Sequence, residues 1–199
     1  MKPSASVTSP KTGVRLVNVV HSELRKHILA GDTVVDATVG NGHDTLALAQ
    51  WVGNEGHVIG FDIQPKAIAA TRNRLIAHDL WQRVSLHCLC HSRMHEVIKR
   101  PAKAILFNLG YLPGADHELT TLPATTSAAL DSSWEILQEN GILSAVAYPG
   151  HPGGNVESDT VNQWMQAKAA SGHPLITQQA NPAQPHSPTW FCLHKINPA

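Results

Sequence analysis

Apolar side chains recur at helical spacing through residues 16–30, at Leu16, Val19, Val20, Leu24, Ile28 and Leu29, and Gly31 supplies a stop. A short apolar run at 33–35 predicts a first strand, the helical pattern 45–52 follows, and 57–61 reads as a second strand. Pro65 opens a helix to about residue 78 through Ala67, Ile68, Ala70, Leu75 and Ile76. Further strands are predicted at 84–88, 104–107 and 141–147, with helices over 124–139 and 156–170 and short strands near 174–180 and 189–195. Strand–helix alternation implies an α/β, doubly wound, Rossmann-like fold: a seven-stranded, mostly parallel sheet covered on both faces. A short Pro-rich loop between the last two strands predicts an antiparallel C-terminal edge hairpin. No internal repeat interrupts this pattern.

The first strand runs into Asp36-Ala-Thr-Val-Gly-Asn-Gly-His-Asp44. Gly40 and Gly42 lack a Cβ, so this turn can take positive φ or lie flat against a ligand. Asp62 closes the second strand about twenty residues on, where an acid can accept hydrogen bonds from both ribose hydroxyls of a nucleoside. The spacing D-x-x-x-G-x-G departs from G-x-G-x-x-G and weakens a pyrophosphate-clasping dinucleotide reading. Acids beside the turn, Asp36 first, suit a cofactor with positive charge, and S-adenosylmethionine carries both an ammonium and a sulfonium.

Ligands in such sheets sit at the carboxyl ends of the strands. Five polar clusters therefore converge: Gly40, Asn41, Gly42 and Asp44; Asp62 and Gln64; Cys90, His91 and Ser92; residues 108–113; and residues 148–154. The fourth, Asn108-Leu-Gly-Tyr111, resembles the N/D-P-P-Y/F signature of amino-group methyltransferases, with Leu109-Gly110 in place of Pro-Pro. There the Asn oxygen and a backbone carbonyl accept from the target amine, and the aromatic packs on its carrier. An amine protonated at neutral pH must lose its proton before it attacks, and His151 or Tyr111 is placed to help.

The wider set D-A-T-x-G-N-G-H-D-T, F-D-I-Q, F-N-L-G-Y-L-P-G-x-D, Thr120-Thr121, Thr125-Thr126 and Y-x-G-H-x-G-G with Glu157 resembles the putative rRNA methylase family, from about residue 14 to the end. Bacterial members are S-adenosylmethionine-dependent tRNA methyltransferases of the 5-aminomethyl-2-thiouridine pathway. The resemblance implies a class I methyltransferase fold and N-methylation of 5-aminomethyl(-2-thio)uridine at the wobble position, with a tRNA anticodon stem-loop as partner. It implies that Asn41, Asp44, Asp62, Gln64, His91 and Ser92 hold the cofactor and that Asn108, Tyr111 and His151 face the transferred methyl. Asn181 and the stretch to Pro188 resemble the family's N-x-P-P region with altered spacing.

Composition narrows the alternatives. At 199 residues and 42% hydrophobic content, residues 13–199 suffice for one domain, behind a Pro/Ser/Thr-rich lead-in at 1–12 expected to be disordered. Net charge is zero, but residues 1–103 carry 13 Lys/Arg against 8 Asp/Glu while 104–199 carry 2 against 7, so an RNA-facing surface is expected in the first half. Arg15, Arg25, Lys26, Arg72, Arg74 and Arg83 are its candidates, against a reading as solvated helix faces. Three cysteines without a disulfide pattern, and no apolar run near membrane-spanning length, predict a cytoplasmic protein without a membrane partner.

The run His87-Cys88-Leu-Cys90-His91 invites a zinc reading, but a strand sends Cys88 and Cys90 to the face opposite His87 and His91, and no metal is expected. An rRNA or small-molecule amine methyltransferase is the nearest alternative function, and a non-catalytic RNA-binding module the more distant one. The tryptophans at 51, 81, 134, 164 and 190 are expected in the core; exposure of Trp134 or Trp164 would mark an interface such as that of a homodimer.

Overall fold

The computed structural model describes residues 16–110, 121–184 and 186–197. The expected lead-in, Arg15 and Tyr111 lie outside the described residues. Strands β1 (Thr33–Asp36), β2 (His57–Asp62), β3 (Val84–Cys88), β4 (Ala102–Leu109), β5 (Leu137–Ala147), β6 (Leu175–Gln179) and β7 (Thr189–His194) form one seven-stranded sheet in the order β3-β2-β1-β4-β5-β7-β6. The pairs from β3 to β5 are parallel, and β7 runs antiparallel to both β5 and β6. The predicted architecture is thus the observed one, with β7 inserted beside β5 and β6 at the edge.

Helices α1 (Leu16–His27), α2 (His43–Trp51) and α3 (Pro65–Ala77) cover one face, and α4 (Met94–Val97), α5 (Pro123–Ile136) and α6 (Gly154–Ala170) the other. Strand alternation divides the core accordingly. In β4, Ile105, Phe107 and Leu109 pack with Leu130 and Met165, whereas Ala104 and Leu106 pack with Leu24, Leu48 and Leu75. Burying a side chain such as Phe107 completely stabilises the fold by about 1.5–3 kcal/mol.

Two helix ends and the β3–β4 connection depart from the sequence pattern for local reasons. Helix α1 stops at His27, where Arg25 Nη1 donates to Ile28 O and Leu29 N donates to Asp32 Oδ2. Helix α5 ends at Ile136 instead of 139, because Leu137 is buried and pairs with Ala102, and Lys195 Nζ donates to Trp134 O and Leu137 O at the helix end. Asn140 then turns the strand at φ 59. Between β3 and β4 the chain forms a 3-10 turn at His91–Arg93 and the single turn α4, unmarked in the sequence, anchored by buried Met94 and Ile98.

Of the tryptophans only Trp190 is buried in the core; Trp51, Trp81, Trp134 and Trp164 are half-buried and pack against its margin. Trp134 and Trp164 meet edge to face at 5.9 Å, with Lys168 Nζ 4.9 Å and 5.2 Å from the two ring centroids and Trp164 Nε1 donating to Asp131. They join α5 to α6. Most of the basic candidates are likewise engaged locally: Lys26 pairs with Glu23, Arg72 lies over Trp81, and Arg83 donates to Ala49 O and to Asn54.

Candidate active site at the carboxyl edge of the sheet

The turn after β1 is shaped by contact with α3. Gly42 has φ 77, and a Cβ there would lie 2.5 Å from Thr71 Oγ1 and 2.9 Å from Thr71 Cα, so only glycine fits. Thr71 Oγ1 donates to Gly40 O at 3.0 Å, and Arg74 Nε donates to Asn41 O at 2.8 Å. Arg74, one of the candidates for an RNA-facing surface, thus holds the turn, a role no spacing announces.

Asp62 closes the turn from β2. Its Oδ2 accepts Gly40 N–H and its Oδ1 accepts Gln64 N–H, both at 2.9 Å, which fixes the carboxylate with lone pairs to spare. Asp36 takes a different place from that expected. It is fully buried behind the turn and outside the cavity lining, accepting from Thr45 Oγ1 at 2.6 Å and Thr38 N at 3.2 Å. Burial, and secondarily the charge of Asp44, push its pKa up to about 7.

All five parallel strand ends meet around a cavity of about 440 Å³ whose lining includes Asn41, Asp44, Asp62, Gln64, Cys90, Asn108 and Tyr148. Gly40, Gly42 and His91 also line it. Asp44 lies at its centre of polar contacts: Oδ2 accepts from Asn108 Nδ2 at 2.7 Å and Oδ1 meets His21 Nε2 at 2.5 Å. Asn108 N donates to Thr38 Oγ1 at 2.7 Å, tying the end of β4 to the turn. Tyr148, at the end of β5, stands beside them, its hydroxyl pKa raised by burial and then by the charge of Asp44. Tyr148 opens the predicted 148–154 cluster without a role of its own assigned to it, and His21 was not among the predicted site residues. His21's only sequence signal is a histidine on the α1 face that carries the apolar stripe.

His91 is buried, and burial pulls its pKa below the ordinary histidine value. The neutral ring donates Nδ1–H to Ala37 O at 3.3 Å, leaving Nε2 an acceptor without a partner among the described residues. Ser92 lies outside the lining and donates to Cys90 Sγ. His151 also lies outside it, packed between Gly110 and Gly154 with Nδ1 donating to Pro152 O. Behind the lining residue Thr121, buried Glu157 at the start of α6 accepts from Thr121 Oγ1 and Thr126 Oγ1, each at 2.6 Å. The His87–His91 run does not gather: His87 stacks on Phe61 at 5.3 Å while Cys88 Sγ donates to Ile63 O.

The donor set fits a cationic nucleoside. Asp44 and Asp62 line the cavity, and among the described residues no Lys or Arg does, so a pyrophosphate would find no counter-charge. Fixed Asp62 oxygens suit ribose hydroxyls, and the unsatisfied His91 Nε2 awaits a donor. No helix among the described residues is long and apolar enough to cross a membrane.

Comparison with known proteins agrees with this geometry. Residues 58–194 match the family model described as "Putative rRNA methylase". A putative rRNA-methylase from Clostridium thermocellum superposes with a TM-score of 0.84 at 39% identity, over 95% of this chain and 100% of that one. A putative methyltransferase from Streptococcus mutans, in complex with SAH, gives 0.82 at 28% identity, over 92% and 99%. An Arabidopsis thaliana protein, "tRNA (mnm(5)s(2)U34)-methyltransferase, chloroplastic", is 41% identical over 157 residues, 74% of this chain, and the match spans 57% of that relative's length. Sheet order, cavity and sequence agree: the chain has the class I methyltransferase fold and belongs to the rRNA methylase family.

Proposed function

We propose that the protein is an S-adenosylmethionine-dependent RNA methyltransferase that N-methylates 5-aminomethyl(-2-thio)uridine at the tRNA wobble position, giving the 5-methylaminomethyl form, in the cytoplasm. The observation that carries the reading is the Asp44–Asn108 pair in a cavity with two carboxylates and no lining Lys or Arg among the described residues. Likeness to a relative named for mnm5s2U34 supports the nucleoside.

When bound, S-adenosylmethionine supplies a methyl group activated on a sulfonium. Asp62, Gln64, the 40–42 turn, Asp44 and His91 would hold it, and Ser92 and Asp36 would support that set from behind. Because the Asp44 carboxylate only accepts, it takes the Asn108 NH₂ and leaves the amide oxygen for an N–H of the target amine. The substrate arrives as an ammonium, and one proton must leave nitrogen to expose its lone pair. The Asp44–His21 pair can take that proton at the His21 imidazole, a side chain that serves as a general base. Asn108 then holds the amine in line, and positioning does most of the remaining work. Tyr111 and His151 are proposed to flank the carrier base.

Nucleoside mass spectrometry tests this. Bulk tRNA carrying aminomethyl-uridine, incubated with protein and S-adenosylmethionine, gains one methyl on that nucleoside. No gain, with cofactor binding intact, would move the acceptor to rRNA or a small amine.

A further inference from the structure

Glu23 and His27 sit one turn apart on α1, and His194 ends β7 opposite them. One potential ligand atom from each lies within 4.8 Å of the other two. All three side chains are half-buried, His27 and His194 rings meet at 4.8 Å, and His27 Nε2 is 3.2 Å from Glu23 Oε1. Cys192 Sγ, 4.0 Å from His194 Nε2, is a further donor close by.

We infer that Glu23, His27 and His194 form a site for a divalent transition metal, with zinc as the best fit, that clips α1 to β7. One carboxylate and two imidazoles from two elements make a ligand set that zinc takes, leaving a fourth position for water. Tetrahedral bonds of about 2.0–2.2 Å need donor atoms roughly 3.3 Å apart, which small rotamer changes supply from the present spacing. Lys26 Nζ now contacts Glu23 Oε2, but its side chain is 62% exposed and can swing into solvent. The metal takes neutral imidazoles and an ionised carboxylate, so protons compete with it for the ligands and affinity falls with acidity. His194 pairs with Ile142, four strand positions from Val146 in the cavity lining, or roughly 13 Å, and none of the three ligands lines the cavity. The site is therefore separate from the cavity, yet it anchors the helix that carries His21.

Calorimetric titration of chelator-treated protein with Zn²⁺ alone tests the site. Wild type should bind one equivalent and gain in thermal midpoint. His27→Ala and His194→Ala should each weaken binding by roughly tenfold or more, since even outer-shell partners are worth about 10–100-fold. His194→Gln repeats the test if His194→Ala does not fold. Cys88→Ser/Cys90→Ser should bind as wild type does. No binding by wild type, or undiminished binding by the folded histidine variants, overturns the proposal.

Discussion

Asp44 Oδ2 accepts Asn108 Nδ2 at 2.7 Å and so sets which end of the amide can meet a substrate. Asn108→Ala should lower turnover by about a hundredfold, the scale of misplaced reacting groups, while cofactor affinity stays near wild type. Asp44→Asn should lower turnover too, because two amides can pair with Asn108 turned the wrong way. Single-turnover assays beside cofactor titration check both, and an Asn108→Ala variant that loses cofactor binding would refute the division of roles.

Asp62 works on the other side of the cavity. Asp62→Ala removes an acceptor for two backbone N–H groups as well as for a ligand, and bonds to a charged group are worth about 1.5–3 kcal/mol each. Cofactor affinity should fall by roughly ten- to a hundredfold or more, read by calorimetry.

Much of this site was legible in the chain. The 40–42 turn, Asp62, His91 and Asn108 lie at or just past strand ends, and strand ends in a parallel sheet converge wherever the helices cross over correctly. Asp36 shows the limit: the pattern puts an acid at the end of β1, but whether it faces the cavity or Thr45 is decided by packing across the sheet. His21, Thr71 and Arg74 were illegible for a related reason. Each acts through a tertiary contact with the turn or with Asp44, and periodicity records only which face of a helix is apolar. The one-turn α4 was missed because four residues are too few to show a period.

Asp36 predicts a pH dependence of stability. Its folded pKa, about 7, lies above the ordinary aspartate value, so between about pH 4 and 7 the folded state holds a proton that the unfolded chain releases. Stability from this group is fully present below pH 4 and falls as pH rises toward 7. His91, with a lowered pKa, acts in the opposite direction below its unfolded value. The contribution of Asp36 is isolated by comparison with Asp36→Asn, which should lack the downward slope between pH 5 and 7 in urea unfolding. Parallel curves for the two proteins would show that Asp36 is ionised throughout.

Glu157 makes the last case, because its carboxylate joins α6 to both ends of the Thr121–Thr126 stretch. Glu157→Ala would strand two hydroxyls and open a void, at a cost of about 2–4 kcal/mol. Glu157→Gln keeps the volume; its oxygen can accept from one threonine, and its NH₂ can donate to the other once that hydroxyl turns. It should cost roughly 1 kcal/mol. Thr121 and Thr125 also line the cavity, so the Ala variant should lose RNA affinity more than the Gln variant at equal folded fraction. Denaturant titration followed by tRNA binding at low temperature separates the two effects. Equal RNA affinity in the two folded variants would confine Glu157 to stability alone.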